Sequence, residues 1–364
     1  AQLCRTLAVA GHEPAIVAPG SWCLTDDLKA SGIEVAEISS RACWLVQWGA
    51  QPAGKQLLRY LRWRAPDRGV HRMMVWLDRY WPEVVYVNCL PQLKGAAAAR
   101  ALGLPVVWHV REILPPGRRR RFFARRLARD ATRIVAVSEA VAAWIRDEGL
   151  GDRVTVVHNG IDAHPANPEP AVARTDLGLP TDGVLVGFLG GMEVHKGAGR
   201  FVDAFEHAAS GVSDLRAVVP VYGPQVEVES FRRRVAVSPV ADRIHQIPPV
   251  DGIFTLLAAV DLVGFASIWP DSLPRVVMEA MAAGRPVVAH RTGGVPEMIV
   301  EGETGFMVDI GNVNGLADAM VRLASDSELR RRLGQAAAKR AAADFSLARH
   351  ADAMTRILKD AAKI

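Results

Sequence analysis

Apolar and polar positions along the 364-residue chain follow two periods. Short apolar runs such as Ala15-Ile16-Val17-Ala18, Val84-Val85-Tyr86-Val87 and Val106-Val107-Trp108 are bounded by turn residues and predict buried strands. Between them, apolar residues recur three and four apart, which predicts amphipathic helices. Strands are expected at 15–18, 33–38, 83–88, 106–110, 133–137, 154–157, 184–188, 216–221, 244–247, 262–265, 286–289 and 305–308. Helices are expected at 1–10, 24–31, 41–80 with a break near Pro66, 92–102, 139–148, 228–237, 254–259, 274–283, 313–324, 327–343 and 345–363. Strand and helix alternate almost throughout, the pattern of parallel sheets wound on both faces.

The stretch 267–297 organises the chain. It runs from Asp271 through a helix beginning near Pro274, with Pro in the first turn, to a stop at Gly284. A strand at 286–289 follows, then Thr292-Gly293-Gly294 and a new helix start at Val295-Pro296-Glu297. Asp271 precedes the helix and Glu279 lies one to two turns inside it, so two carboxylates can grip hydroxyls at separate points of a long polar ligand. The Gly293-Gly294 turn is expected to expose backbone amides at a helix start, a site suited to phosphate. Hydroxyls at one end and phosphate at the other describe a nucleotide-sugar.

This stretch resembles the acidic signature of retaining glycosyltransferases of family 4: E-x7-E, then A-x-x-x-G-x-P-V-V, then G-G-x-x-E. Asp271 stands where the first Glu is usual. The resemblance implies the GT-B fold, two doubly wound Rossmann-like domains facing across a cleft. It implies that Glu279 binds the nucleotide ribose and that Asp271, with Ser272 and Leu273 beside it, meets hydroxyls of the donor sugar. Gly190-Gly191…Lys196-Gly197 is similar to the family's G-R-x-x-x-x-K-G. Lys196 then holds the diphosphate together with Gly293 and Gly294, while Gly191 occupies the position of the second cation. His109 matches a histidine that the family places at the end of a strand in the acceptor domain, near the anomeric carbon. Arg111 and Glu112 follow it, and either pair with each other or line the acceptor side. His109, Lys196 and Asp271 are thus the expected catalytic residues. No metal and no resident cofactor are expected, since no D-x-D motif is placed for one. The co-substrate is a nucleotide diphosphate-sugar, with UDP or GDP as the favoured carrier.

Length alone favours two domains, expected at 1–165 for the acceptor and 166–344 for the donor. Residues 345–364 form a helix expected to cross back to the first domain. A Pro- and Ala-rich linker is expected at 163–175. No apolar run approaches the roughly 18 residues of a membrane span, and no secretory signal is visible. Cys4, Cys23, Cys43 and Cys89 lack metal-ligand spacing and read as reduced thiols of a cytoplasmic protein. The chain opens on a helix with no preceding strand or glycine-rich turn, so a further segment upstream is expected in the parent protein.

Charge adds one more surface. Residues 1–165 carry about 23 Lys and Arg against about 15 Asp and Glu, while the whole chain is +5. Arg118, Arg119, Arg120, Arg121, Arg125, Arg126 and Arg129 surround Phe122 and Phe123. Such a helix either lies on an anionic membrane surface, at the inner face of the membrane, or is a solvated arginine face whose phenylalanines are core. Nucleic acid is not expected, because no recognition module surrounds the cluster.

Three rivals remain. Gly191, and Pro274 with no N–H to offer an oxygen, suit a catalytically silent protein binding nucleotide-sugar or glycan. A nicotinamide-dependent oxidoreductase requires an acidic residue ending its second strand, where Ala18-Pro19-Gly20 stands. A phosphorylase of the same fold requires a pyridoxal-binding lysine segment after Glu297, and none follows.

Overall fold

The structure, a computed structural model, describes residues 2–18, 20, 23–39, 67–162 and 169–364. Arg59, Arg62, Arg64, Pro66 and Cys43 lie outside the described residues. The chain divides into two compact units: residues 1–158 with 348–364, and residues 159–347.

In the first unit, helix α1 (Gln2–Val9), strand β1 (Ala15–Ala18), helix α2 (Cys23–Ala30) and strand β2 (Glu34–Glu37) come first. After α3 (Arg68–Tyr80) the chain alternates β3 (Val85–Asn88), α4 (Leu93–Ala101), β4 (Val106–Val110), α5 (Arg118–Asp130), β5 (Arg133–Ala136), α6 (Glu139–Ile145) and β6 (Val154–Val156). Among the described residues β3-β4-β5-β6 form a parallel sheet in chain order, and β1 pairs in parallel with β2 in a separate sheet. Every residue of β4 is buried, as an apolar run in a sheet covered on both faces requires. Val107, Val135 and Val157 pack with Met354, Leu358 and Ala361 of the last helix, with Leu3 and Leu7 of α1 against them.

Helix α5 settles the arginine cluster. Phe123, Leu127 and Ala131 point to the core and are buried, and Phe122 is partly buried. The second of the two readings, an arginine face whose phenylalanines are core, holds for Phe123: at helical spacing the apolar residues form the inward stripe. Arg120 turns inward too and pairs with Asp147 and Glu148, both at 2.9 Å. Arg118, Arg121, Arg125 and Arg129 remain on the exposed side.

The second unit runs α7 (Pro170–Asp176), β7 (Val184–Gly187), α8 (Ala198–Gly211), β8 (Leu215–Pro220), α9 (Gln225–Ala236), β9 (Ile244–Ile247), α10 (Ile253–Ala259), β10 (Leu262–Phe265), α11 (Arg275–Ala282), β11 (Val287–His290), α12 (Val295–Met298), β12 (Gly305–Val308), α13 (Val313–Ser325) and α14 (Ser327–Asp344). Helix α15 (Leu347–Ala362) returns to the first unit. The six strands are parallel in the order β12-β11-β10-β7-β8-β9. Winding outward from β7 in one direction and from β10 in the other is the doubly wound order, with its switch point between these two strands.

Helix α7 corrects the expected linker. Residues 163–168 lie outside the described residues, but Pro170 opens a helix at a first-turn position, and Ala173 and Arg174 on it are buried. Arg174 reaches under the sheet. Its guanidinium donates to the carbonyls of Ala259 (2.9 Å), Thr181 and Gly183 (3.2 Å each) and to the Asp261 carboxylate (2.6 Å), which also accepts the Leu185 amide at 2.7 Å. Every nitrogen of the guanidinium has a partner, and burial of this cation depends on those partners being present. Arg174→Ala is expected to destabilise the second unit by about 3 kcal/mol, because the part-buried Asp261 loses its cation and three carbonyls lose their donor. Urea unfolding of the two proteins at one pH measures it, and a change within about 0.5 kcal/mol would refute this account of α7.

Candidate functional site

In open parallel sheets, ligands bind beyond the carboxyl ends of the strands at the switch point. Here the loops after β7 and β10 meet at that place. The β7 loop passes Gly190 and Gly191, makes a single 3₁₀ turn (Val194–Lys196) and enters α8 through Gly197, at φ +79°. A Cβ on Gly197 would overlap the Ala266 carbonyl of the β10 loop, so only glycine allows this approach. The His195 carbonyl accepts from the Ile268 amide (3.0 Å) and the Ser267 hydroxyl (3.1 Å), and the Met192 amide donates to the Tyr222 carbonyl after β8 at 3.0 Å. Three strand-end loops are thereby tied into one rim.

On this rim Lys196 Nζ lies 3.0 Å from Asp271 Oδ2, in a pair left partly open to solvent. The two expected catalytic residues of the second unit are thus in contact. Ser272 is half-buried and Leu273 buried beside them. Pro274 is the N-cap of α11, just ahead of the first helical residue rather than within the first turn. Its ring has no N–H, which leaves the free amides of the helix start to the residues that follow. Glu279 is buried on α11, and Arg275, one turn earlier and largely exposed, pairs with it at 2.6 Å.

The Gly293-Gly294 turn departs from expectation. Gly293, at φ +52°, and Gly294 lie so close to the 271–272 backbone that a Cβ on either would overlap the Asp271 or Ser272 carbonyl. The Gly294 amide donates to the Asp271 carbonyl at 2.9 Å, and α12 behind it is a single turn. These glycines therefore clamp the Asp271 loop. The Gly294 amide is occupied, and so short a helix adds little dipole for a phosphate.

Gly191 has a specific neighbour. A Cβ there would collide with the Glu193 carboxylate, so a carboxylate fills the space beside the position where a second cation was expected. Tyr222 adjoins it. Burial, then the charge of Glu193, raises its phenol above the ordinary value, with Lys196 opposing.

In the first unit His109 is fully buried at the end of β4. Its Nδ1 is 2.7 Å from the Tyr86 hydroxyl, and its ring stacks 6.3 Å from that of His350, whose Nδ1 hydrogen-bonds the His158 carbonyl at 2.8 Å. Burial foremost, then the charges of Arg111 and His350, hold His109 well below the usual histidine value. The side chains of Arg111 and Glu112 take separate partners. Arg111 Nε donates to Asn88 at 2.9 Å. The Glu112 carboxylate accepts the amides of Leu90 (3.1 and 3.2 Å) and Arg111 (3.0 Å), fixing the turn after β3. In that turn Cys89 adopts φ +72° and is a free thiol, as is Cys4; burial and then Glu112 push the Cys89 thiol up to about 12. Tyr86, His350, Glu193 and Arg275 were not singled out from sequence, since none carries a motif and each gains its meaning from a neighbour distant in the chain or a turn away on a helix. Among the described residues, no group of three or more His, Cys, Asp or Glu is placed to hold a metal ion, and no helix is long and apolar enough to cross a membrane.

The buried histidines set a pH dependence. His109, His290 and His350 are all depressed, with burial as the first cause. Unfolded, each binds a proton near pH 6.5 that the folded form resists. Their contribution to stability is therefore complete above that pH and lost as pH falls below it. The melting temperature is expected to be level above about pH 7 and to drop below about pH 6.5, with a shallower drop in His109→Gln. Equal slopes in the two proteins would contradict the burial of a neutral His109.

Two family descriptions match the chain: "Glycosyltransferase Family 4" over residues 1–164 and "Glycosyl transferases group 1" over residues 171–340. D-inositol 3-phosphate glycosyltransferase of Corynebacterium glutamicum is 32% identical over 220 residues, 58% of this chain and 52% of that protein. N-acetyl-alpha-D-glucosaminyl L-malate synthase of Bacillus anthracis is 33% identical over 138 residues, 38% of this chain and 36% of that protein. The chain spans about half the length of the relative it matches from Corynebacterium glutamicum. Among solved structures, HepE of Anabaena, crystallised with UDP-glucose, has a TM-score of 0.80 at 21% identity, covering 99% of this chain and 94% of that one. Sucrose-phosphate synthase of Thermosynechococcus elongatus has a TM-score of 0.77 at 18% identity, covering 99% and 91%. At these identities the likeness establishes the fold, which is GT-B. With a first half matching Family 4, a second half matching group 1 and this fold in both units, the chain belongs to the family 4 glycosyltransferases.

Proposed function

We propose that this chain is a retaining glycosyltransferase that moves a sugar from a nucleotide diphosphate-sugar to a hydroxyl of a glycan, lipid-linked or small-molecule acceptor. The observation that carries the proposal is the Lys196–Asp271 pair at the switch point of the second sheet, with Glu279 buried on the adjoining helix. The second unit takes the donor. Glu279 accepts hydrogen bonds from the ribose, Asp271 from hydroxyls of the donor sugar, and Lys196 lies against the diphosphate. Both carboxylates have internal partners, Lys196 and Arg275, and donor binding exchanges these for ligand groups.

During transfer the bond from the anomeric carbon to the diphosphate oxygen breaks, an acceptor hydroxyl oxygen bonds to the same face of the sugar, and its proton passes to the departing diphosphate. Negative charge moves onto the departing diphosphate while the sugar becomes oxocarbenium-like. Holding a fixed cation where that charge develops is the main catalytic task. Lys196 performs it, so transfer is expected to persist in the presence of a chelator. His109 serves the acceptor side as a neutral group. Relatives named for inositol phosphate and malate acceptors support a small polar acceptor, and the UDP-glucose complex of HepE supports UDP as the carrier.

A thermal-shift screen of UDP-, GDP- and ADP-sugars tests the donor. A true donor at 100 times its Kd adds about 2.7 kcal/mol of stability, and Glu279→Ala weakens it by about 1.5–3 kcal/mol. Lys196→Ala is expected to lower kcat by about 10²–10³, with the product anomer assigned by NMR. No stabilisation by any nucleotide-sugar would overturn the proposal. Stabilisation with no transfer to any acceptor and no donor hydrolysis would instead favour a silent binder, the reading to which Glu193 beside Gly191 lends support.

The exposed Arg118, Arg121, Arg125 and Arg129 fit an anionic membrane surface through charge alone, at the cytoplasmic face if the acceptor is lipid-linked. With the phenylalanines inside, binding is expected to be electrostatic and to vanish as salt rises. Co-sedimentation with anionic but not neutral vesicles at low salt, lost when Arg118, Arg121 and Arg125 become Ser, is the expected result. No sedimentation with either vesicle would return the stripe to plain solvation and favour a soluble acceptor.

A further inference from the structure

Strands β3 and β4 pair in parallel with Asn88 opposite His109 and Tyr86 opposite Val107. Alternation puts Tyr86, Asn88, Val107 and His109 on one face of the sheet. There the Tyr86 ring meets His109 edge-on, with centroids 5.9 Å apart and the phenol 2.7 Å from Nδ1. We propose that Tyr86 is a positioning residue that fixes His109 in the tautomer protonated on Nε2, so that His109 donates a hydrogen bond to an oxygen of the bound sugar.

The direction of the hydrogen bond follows from the cation beside the phenol. Arg111, held on Asn88 of the same sheet face, is near enough for its charge to act on the Tyr86 phenol. A cation attracts the lone pairs of the phenol oxygen, which turns the phenol proton toward His109 Nδ1. Burial pushes the Tyr86 phenol up to about 12, so it keeps that proton near neutral pH. An imidazole that accepts at Nδ1 and is neutral carries its proton on Nε2. His109 Nε2 is buried and has no partner among the described residues. An unpaired buried polar atom calls for a partner from outside the chain or a role in the chemistry. An N–H donor selects an oxygen lone pair, which a sugar hydroxyl or ring oxygen supplies. The opposite tautomer would turn a lone pair toward that oxygen and set Nδ1–H against the phenol proton.

The inference rests on the glycosyltransferase reading for the identity of the ligand oxygen, but not for the tautomer. The test therefore starts without substrate. In protein labelled with ¹⁵N-histidine, two-bond ¹H–¹⁵N correlation distinguishes the tautomers, and His109→Gln assigns the signal. The expected result is an Nε2–H pattern in the unaltered protein and a mixture of tautomers in Tyr86→Phe, which keeps the ring. In transfer assays Tyr86→Phe is expected to lower kcat roughly three- to tenfold, the effect of one hydrogen bond, with the donor KM unchanged. An Nδ1–H pattern in the unaltered protein overturns the proposal even if the variant folds poorly. So does a tautomer that Tyr86→Phe leaves unchanged, or an unaltered kcat. If neither protein transfers sugar, the glycosyltransferase reading fails, while the spectra still decide the tautomer.

Discussion

Backbone meeting backbone, with no side chain in the way, is the constraint on which the rim of the second sheet depends. Gly197 lies against the Ala266 carbonyl, and Gly293 and Gly294 lie against the carbonyls of Asp271 and Ser272. Any Cβ at these points would push the loops after β7, β10 and β11 apart. Their contact brings Lys196 to Asp271, and the Gly294 amide on the Asp271 carbonyl fixes the loop that presents the carboxylate. Two of the three glycines hold φ values that other residues adopt only under strain.

Charge at this rim is balanced internally. Lys196 faces Asp271 and Arg275 faces Glu279, so neither carboxylate stands exposed and unpaired. The pairs are partly open to solvent, where such contacts are weak and readily exchanged for a ligand's hydroxyls and phosphates. Glu193 beside Gly191 adds a further carboxylate to the same rim.

Much of this was legible in the sequence, for identifiable reasons. Parallel strands covered on both faces are short and mainly apolar, so β4, β10 and β12 fall where the pattern places them. The order of Lys196, Asp271 and Glu279 along the chain locates the rim because strand-end loops follow one another in sequence. What escaped depends on pairing across long separations. Tyr86 reads as one more apolar strand position until β3 lies beside β4. Arg174 looks like a linker residue until β7 and β10 supply its carbonyls and carboxylate. Glu112 looked like a cleft group, and the backbone amides that occupy it appear only once the turn after β3 is folded. The Gly-Gly turn was located by its sequence, but its role is packing, since residue type alone does not reveal which carbonyl an amide has already found.

The path of the chain between the units has a further consequence for how the protein is made. The second unit is a continuous insertion, entered at Asn159 and left at Leu347. Its two ends are zipped together, with Ile161 bridging Ser346, its amide on the Phe345 carbonyl and its carbonyl accepting the Leu347 amide. The first unit is discontinuous: Met354, Leu358 and Ala361 of its core arrive on the last helix. Emerging from the ribosome, the second unit holds all its parts before the first unit does. The half synthesised first is therefore the half completed last, and until α15 docks, the apolar face of Val107, Val135 and Val157 stands exposed in the nascent chain.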